Sequence, residues 1–232
     1  MGVKAINTMQ EIWNGFDFSY LLDILLRVIP ALVCITLHEL SHGLVAYALG
    51  DNTAKNAGRL TLNPIKHLDP MGLLMMVIFK FGYAKPVPVN MMNFKNPKRG
   101  MAITALAGPG SNIVIGAVFY FLYGLLVVPM MKGTVPEYLV TMVNYTAYLS
   151  LAMAVFNLIP IPPLDGSKIL FALLPEAAYW KLMRYERYGF LVLIAVLYFG
   201  ALDGPLSWLM QGIMNGMTPV FELGFRLGYQ LF

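Results

Sequence analysis

Charge is scarce in this sequence. Only 12% of its 232 residues are Asp, Glu, Lys or Arg, while 58% are hydrophobic; soluble globular chains carry about 25% charged residues. That balance excludes an ordinary soluble fold and points to an all-α polytopic membrane protein with a small polar interior. Cysteine is limited to Cys34, which excludes an intramolecular disulfide. A small buried apolar side chain is its expected role. Long hydrophilic blocks are missing, so one membrane-embedded unit is expected over 1–232, with a core at about 20–175 and C-terminal helices at 176–232. No signal-peptide pattern opens the chain, because Asn7, Gln10, Glu11 and Asn14 interrupt any apolar run. The first spanning segment is therefore expected to direct insertion. The net charge of +4 is modest and does not call for nucleic acid as a partner.

The placement of the charges is more informative than their sum. Lys55, Arg59, Lys66, Lys80, Lys85, Lys95, Lys98 and Arg99 lie between Gly50 and Gly100, against Asp51 and Asp69. A second basic group is Lys168, Lys181, Arg184 and Arg187, whereas the N-terminal tail has Lys4 against Glu11, Asp17 and Asp23. The excess of Lys and Arg in cytoplasmic loops puts both basic groups inside and the N-terminus outside.

Apolar segments at about 20–50, 101–131, 138–159 and 188–202 read as spans, about four to six transmembrane helices in all. The last 28 residues are ambiguous. Pro219 divides them, and Gly212/Gly216 and Gly224/Gly228 have the spacing that permits close helix packing, within the chain or between copies. Between the first and second long spans, Pro64, Pro70, Pro86 and Pro88 break any continuous helix. Residues 73–81 are apolar but too short to span, and read as a re-entrant segment. Residues 83–90 read as an extended strand or loop.

Against this background, His38-Glu39-Leu40-Ser41-His42 stands out, because it lies inside the first apolar span. Residues four apart share a helix face, about 6 Å of rise from one another, which suits two imidazoles on one metal ion. The intervening glutamate sits beside the metal, placed to take a proton from water. Two imidazoles and a carboxylate in hydrocarbon are costly without a metal to organise them.

A catalytic zinc usually takes a third protein ligand. The candidates are His67, the only other histidine, and Asp51, Asp69, Asp165, Glu176 and Glu186. Asp165 is favoured. The alternation of spans brings it to the same membrane face as the histidine pair, and Pro160, Pro162 and Pro163 make an irregular backbone before it. Such backbone is tolerated at membrane depth only in a protein interior or beside a water-filled cavity. Gly166 is expected to let the chain turn sharply there. Asn157 lies just before this turn, where its amide serves either a developing oxyanion or an interhelical hydrogen bond. His67 reads as structural or gating, and Asn112 as a polar contact between helices.

These pieces together resemble the site-2 protease family of intramembrane zinc metalloproteases, in its compact form without PDZ or CBS domains. The resemblance rests on His38-Glu39-Leu40-Ser41-His42-Gly43, Gly108-Pro109-Gly110-Ser111-Asn112 and the run from Asn157 through Pro160 and Pro162-Pro163 to Asp165-Gly166. Gly58-Arg59-Leu60-Thr61-Leu62-Asn63-Pro64 and Ala84-Lys85-Pro86-Val87-Pro88-Val89-Asn90 add to it. It covers over half the chain. It implies one zinc ion held by His38, His42 and Asp165, Glu39 as general base, Asn157 assisting the oxyanion, and a transmembrane protein substrate cleaved within the bilayer. It also implies that the segment around residues 83–90 offers an extended edge to that substrate, and it makes a prokaryotic plasma membrane the expected location. The alternative from another class is a zinc transporter or sensor without hydrolysis, for which Glu39 between the ligands has no use.

Overall fold

The computed structural model describes residues 18–69 and 85–232. Among them the fold is all-α. Helix α1 is Phe18–Ala48, α2 is Thr53–Asn56, α3 is Pro97–Met131, α4 is Glu137–Asn157, α5 is Asp165–Leu173, α6 is Glu176–Tyr198 and α7 is Asp203–Leu231. The proposed re-entrant segment 73–81 lies outside the described residues.

Among the described residues three helices are long and apolar enough to cross a membrane: α1, α3 and α4. The pair α6 and α7, bent by 86°, makes a fourth if counted as one broken span. With that pair counted, the described residues reach the lower bound of the expected four to six. At 1.5 Å per residue, the 21-residue α4 is about 31 Å long, close to the thickness of the hydrocarbon core. Large apolar side chains stand exposed along these helices, among them Leu44, Val114, Val118 and Leu191. An aqueous surface would not carry so many, whereas lipid is their natural solvent.

Local sequence sets the boundaries. Helix α1 stops where Gly50 takes φ +104°, a conformation that costs glycine little and other residues much. At the start of α3, the Asn96 side chain accepts from the Arg99 N–H and Pro97 occupies the first turn, where its missing N–H costs nothing. Gly200, at φ +65°, makes the bend between α6 and α7.

Two sequence expectations need correction. The fourth apolar span, read as 188–202, is shifted: residues 188–198 are the second half of α6, which begins at Glu176 and ends at Tyr198, and 199–202 form the turn after it. Pro219 does not divide the tail, because α7 runs through it without interruption. The Gly224/Gly228 spacing serves packing within the chain. A side-chain carbon on Gly224 would lie 2.1 Å from the Phe121 carbonyl oxygen, and one on Gly228 would lie 2.5 Å from that of Leu125. Gly124 meets Phe221 and Phe225 backbone in return. Nothing lies close to Gly212 or Gly216.

Helix α3 is central, packed against α1, α4, α5 and α7. The proline-rich connection after α4 is anchored by Ile159 and Leu164, which are buried with Leu193 of α6 against Phe156, Leu197 and Leu206. This anchoring sets α5 under α3, with its first residue, Asp165, facing the histidines of α1.

Candidate metal centre

Two turns before the end of α1, His38 and His42 point toward α3 and α5. Their Nε2 atoms are 3.1 Å apart. Asp165 Oδ2 lies 3.2 Å from His38 Nε2 and 3.1 Å from His42 Nε2. All three side chains are buried, and among the described residues they form the one cluster of three potential ligands within bonding range of a common ion.

The donor set fits zinc. Ligands about 2.0 Å from a tetrahedral zinc are about 3.3 Å from one another, close to the three separations found. Asp165 Oδ2 is buried with no neighbour to donate to it other than the two imidazoles, a costly setting for an anionic oxygen that a cation among the three groups relieves. His42 Nδ1 lies 2.7 Å from the Thr104 carbonyl oxygen. A carbonyl only accepts, so Nδ1 carries the proton and Nε2 of the neutral ring keeps its lone pair, the state a metal ligand requires. Space is reserved as well. A side-chain carbon on Gly108 would sit 2.4 Å from His42 Nε2 and 2.5 Å from His38 Cε1.

Glu39 faces a cavity of 930 Å³ that also touches His38, His42, Asp165 and Asn157. Its Oε2 accepts from the Val87 N–H at 2.8 Å. Arg59, also buried, donates to the Lys85 carbonyl at 2.6 Å and the Pro86 carbonyl at 3.2 Å. The Pro86–Val87 peptide therefore has a guanidinium on its oxygen and the Glu39 carboxylate on its hydrogen. At the other end of the segment, Asp51 accepts from the Asn90 N–H at 2.7 Å and the Asn93 side-chain amide at 2.7 Å. Burial raises the Asp51 carboxyl, but hydrogen bonds from Thr53, Asn93 and the Asn90 N–H outweigh it and hold the group below the usual carboxylate range.

Residues 85–90 carry no helix or strand, and their donors are largely engaged. Pro86 and Pro88 have no N–H. The N–H groups of Lys85, Val87 and Asn90 go to the His67 carbonyl, Glu39 and Asp51.

The other candidates fall in distinct places. Asn157 lines the cavity, with one amide N–H on the Met153 carbonyl at 3.0 Å. His67 is fully buried and stands outside the ligand cluster, with Nε2 on the Thr61 carbonyl at 2.9 Å. Cys34 is buried with its thiol on the Thr146 carbonyl. Gly166 differs from the expectation of a sharp turn. It lies in the first turn of α5, and a side-chain carbon there would meet the Leu158 and Ile159 carbonyls at 2.2 and 2.5 Å. Space, not turning, is what requires glycine.

Residues 124–200, which include Asn157 and Asp165, match the sequence profile of Peptidase family M50. YwhC of Bacillus subtilis, provisionally named a zinc metalloprotease, is 39% identical over 206 residues, covering 84% of this chain and 92% of its own. The chain belongs to peptidase family M50. It is an integral membrane zinc metallopeptidase of the site-2 protease family. Rip2 of Mycolicibacterium smegmatis, also provisionally named a zinc metalloprotease, is 30% identical over 80% of this chain and 71% of its own. RasP of Bacillus subtilis, named as a regulator of sigma-W protease, is 34% identical over 70 residues, 30% of this chain and 16% of its own. No solved structure matches. Membership of this family does not favour the zinc transporter or sensor alternative.

Proposed function

We propose that this M50 peptidase cuts membrane-protein substrates in or near their transmembrane segments, with zinc held by His38, His42 and Asp165. The observation that carries the ligand assignment is the triangle of Nε2, Nε2 and Oδ2 atoms, 3.1–3.2 Å on each side. The whole chain acts as one membrane-embedded unit, with the catalytic core in α1 to α5 and α6 and α7 as C-terminal helices.

When bound, zinc supplies a Lewis acid that brings the pKa of water toward about 7. Glu39 takes the proton from the attacking water and passes it to the leaving nitrogen. The Val87 N–H fixes one carboxylate oxygen, which leaves the other to turn toward the cavity. Asn157 uses its second amide N–H to stabilise the carbonyl oxygen as charge develops. A substrate helix hides its carbonyls in its own hydrogen bonds, so it is unwound locally before it reacts.

The two basic groups put the loops at the metal end of the bundle on the cytoplasmic side and the N-terminus outside. The metal centre then lies toward the cytoplasm, in a prokaryotic plasma membrane. The partner is a single-span or polytopic protein in that bilayer, and the chain's modest positive charge gives nucleic acid no role.

The test compares wild type with Glu39→Gln on a panel of single-span substrates in liposomes. Turnover is expected to fall by about 10²–10⁴-fold with zinc content unchanged. Equal turnover in the two proteins overturns the assignment of Glu39.

A further inference from the structure

Asn112 is fully buried on α3, one turn from Gly108. Its side-chain Nδ2 lies 3.1 Å from His38 Nδ1, while its Oδ1 is buried with no partner. Its backbone carbonyl accepts from Ser150 of α4 at 2.9 Å. The residue is thus fixed between α1 and α4, and only the two ends of its amide are interchangeable.

The chemistry chooses between those ends. An amide nitrogen against Nδ1 requires that Nδ1 accept. A neutral imidazole that accepts at Nδ1 carries its proton on Nε2, and that is the atom 3.2 Å from Asp165 and 3.1 Å from His42 Nε2. A protonated Nε2 has no lone pair for a metal. Turning the amide by half a rotation puts Oδ1 on Nδ1. The oxygen then accepts from Nδ1–H and the amide nitrogen takes the unpartnered place, so what separates the two orientations is the imidazole: Nδ1 holds the proton, and Nε2 is free to ligate. His42 already has this arrangement, with a carbonyl oxygen on its Nδ1.

We propose that Asn112 is a positioning residue whose side-chain oxygen accepts from His38 Nδ1–H, fixing the tautomer that offers Nε2 to zinc. The two histidines are then oriented by two oxygens of α3, one from a side chain and one from the main chain. The inference rests on the ligand assignment proposed above and adds the device that sets the proton on one of those ligands.

The test measures the zinc dissociation constant of the full chain in detergent, by competition with a chromogenic chelator, for wild type, Asn112→Leu and Asn112→Asp. Loss of an oxygen that orients a ligating histidine costs about 10–100-fold in metal affinity. Asn112→Leu is expected to weaken zinc by that factor. Asn112→Asp, which can only accept, is expected to stay within a few-fold of wild type or bind more tightly. With three histidines in the chain, ¹⁵N-imidazole spectra of the metal-free and zinc forms give a second readout. They are expected to show His38 protonated at Nδ1 when zinc is bound.

Wild-type affinity in Asn112→Leu overturns the inference while leaving the ligand assignment intact. So does a folded Asn112→Asp that loses zinc as Leu does, and this arm decides the matter if the leucine variant does not fold. A wild-type chain whose zinc affinity is unchanged by Asp165→Ala overturns the ligand assignment instead, and the inference with it.

Discussion

Two of the glycines through which helix α3 touches its neighbours, Gly108 and Gly124, are used differently. Near Gly108 the space left by the missing side chain is filled by imidazole atoms of His38 and His42. Near Gly124 it is filled by the backbone of α7, which returns the contact through Gly224 and Gly228. The first contact reserves room for reactive groups and surrounds them with acceptors. The second brings two main chains together and gains dispersion contact, which is what holds helices together where lipid removes the hydrophobic drive between them. One helix therefore separates a chemical end from a packing end.

Substitutions at the two levels should separate zinc affinity from stability. Gly108→Ala places a carbon against His42 Nε2, and zinc affinity should fall by about 10²-fold, at the upper end for changes beside metal ligands; chelator competition measures it. Arg59→Met sharpens the comparison within the chemical end. It removes the cation from the Pro86 carbonyl without touching a ligand, so turnover should drop roughly tenfold through misplacement of Glu39 while zinc content holds.

Gly224→Ala strikes the packing end. Overpacking costs of about 1–3 kcal/mol should lower thermal stability in detergent, with the zinc affinity of the folded fraction unchanged. A parallel loss of zinc affinity would show that the two ends are not separable. The smallest effect is expected from Asp51. Its carboxyl is held below the usual range, so its contribution is complete above the unfolded pKa of about 3.9 and is lost as pH falls through the lower folded value. Hydrogen exchange should show residues 90–93 loosening in acid in wild type. In Asp51→Asn they should be looser at neutral pH and insensitive to that change.

Much of the chemical end was legible in the sequence. The spacing of His38 and His42 is a property of helix geometry, and the alternation of spans brought Asp165 to the same membrane face. The groups that hold the side chains of His38, Glu39 and His42 were not legible in the same way. The Thr104 carbonyl and the Val87 N–H are main-chain atoms, which every residue possesses and no letter announces. Asn112 was visible as a lone amide in an apolar helix, but its partner depended on the rotation of α3 against α1.

The packing end was misread where a local rule met tertiary support. Pro219 should interrupt a helix, yet α7 continues through it and lies along α3. The Gly224/Gly228 spacing was noted, but spacing alone does not tell an internal neighbour from a second copy. Gly166 was expected to serve a turn and instead admits the carbonyls of the proline-rich loop.

The engaged main chain of residues 85–90 has an energetic consequence for any peptide laid along it. The N–H groups of Lys85, Val87 and Asn90 must first be released by His67, Glu39 and Asp51, so pairing through them is an exchange of partners and not an addition. Exchange leaves little net gain from the main chain. Where an incoming polypeptide uses those three donors, the fit of its side chains to the cavity walls weighs more than its main-chain pairing.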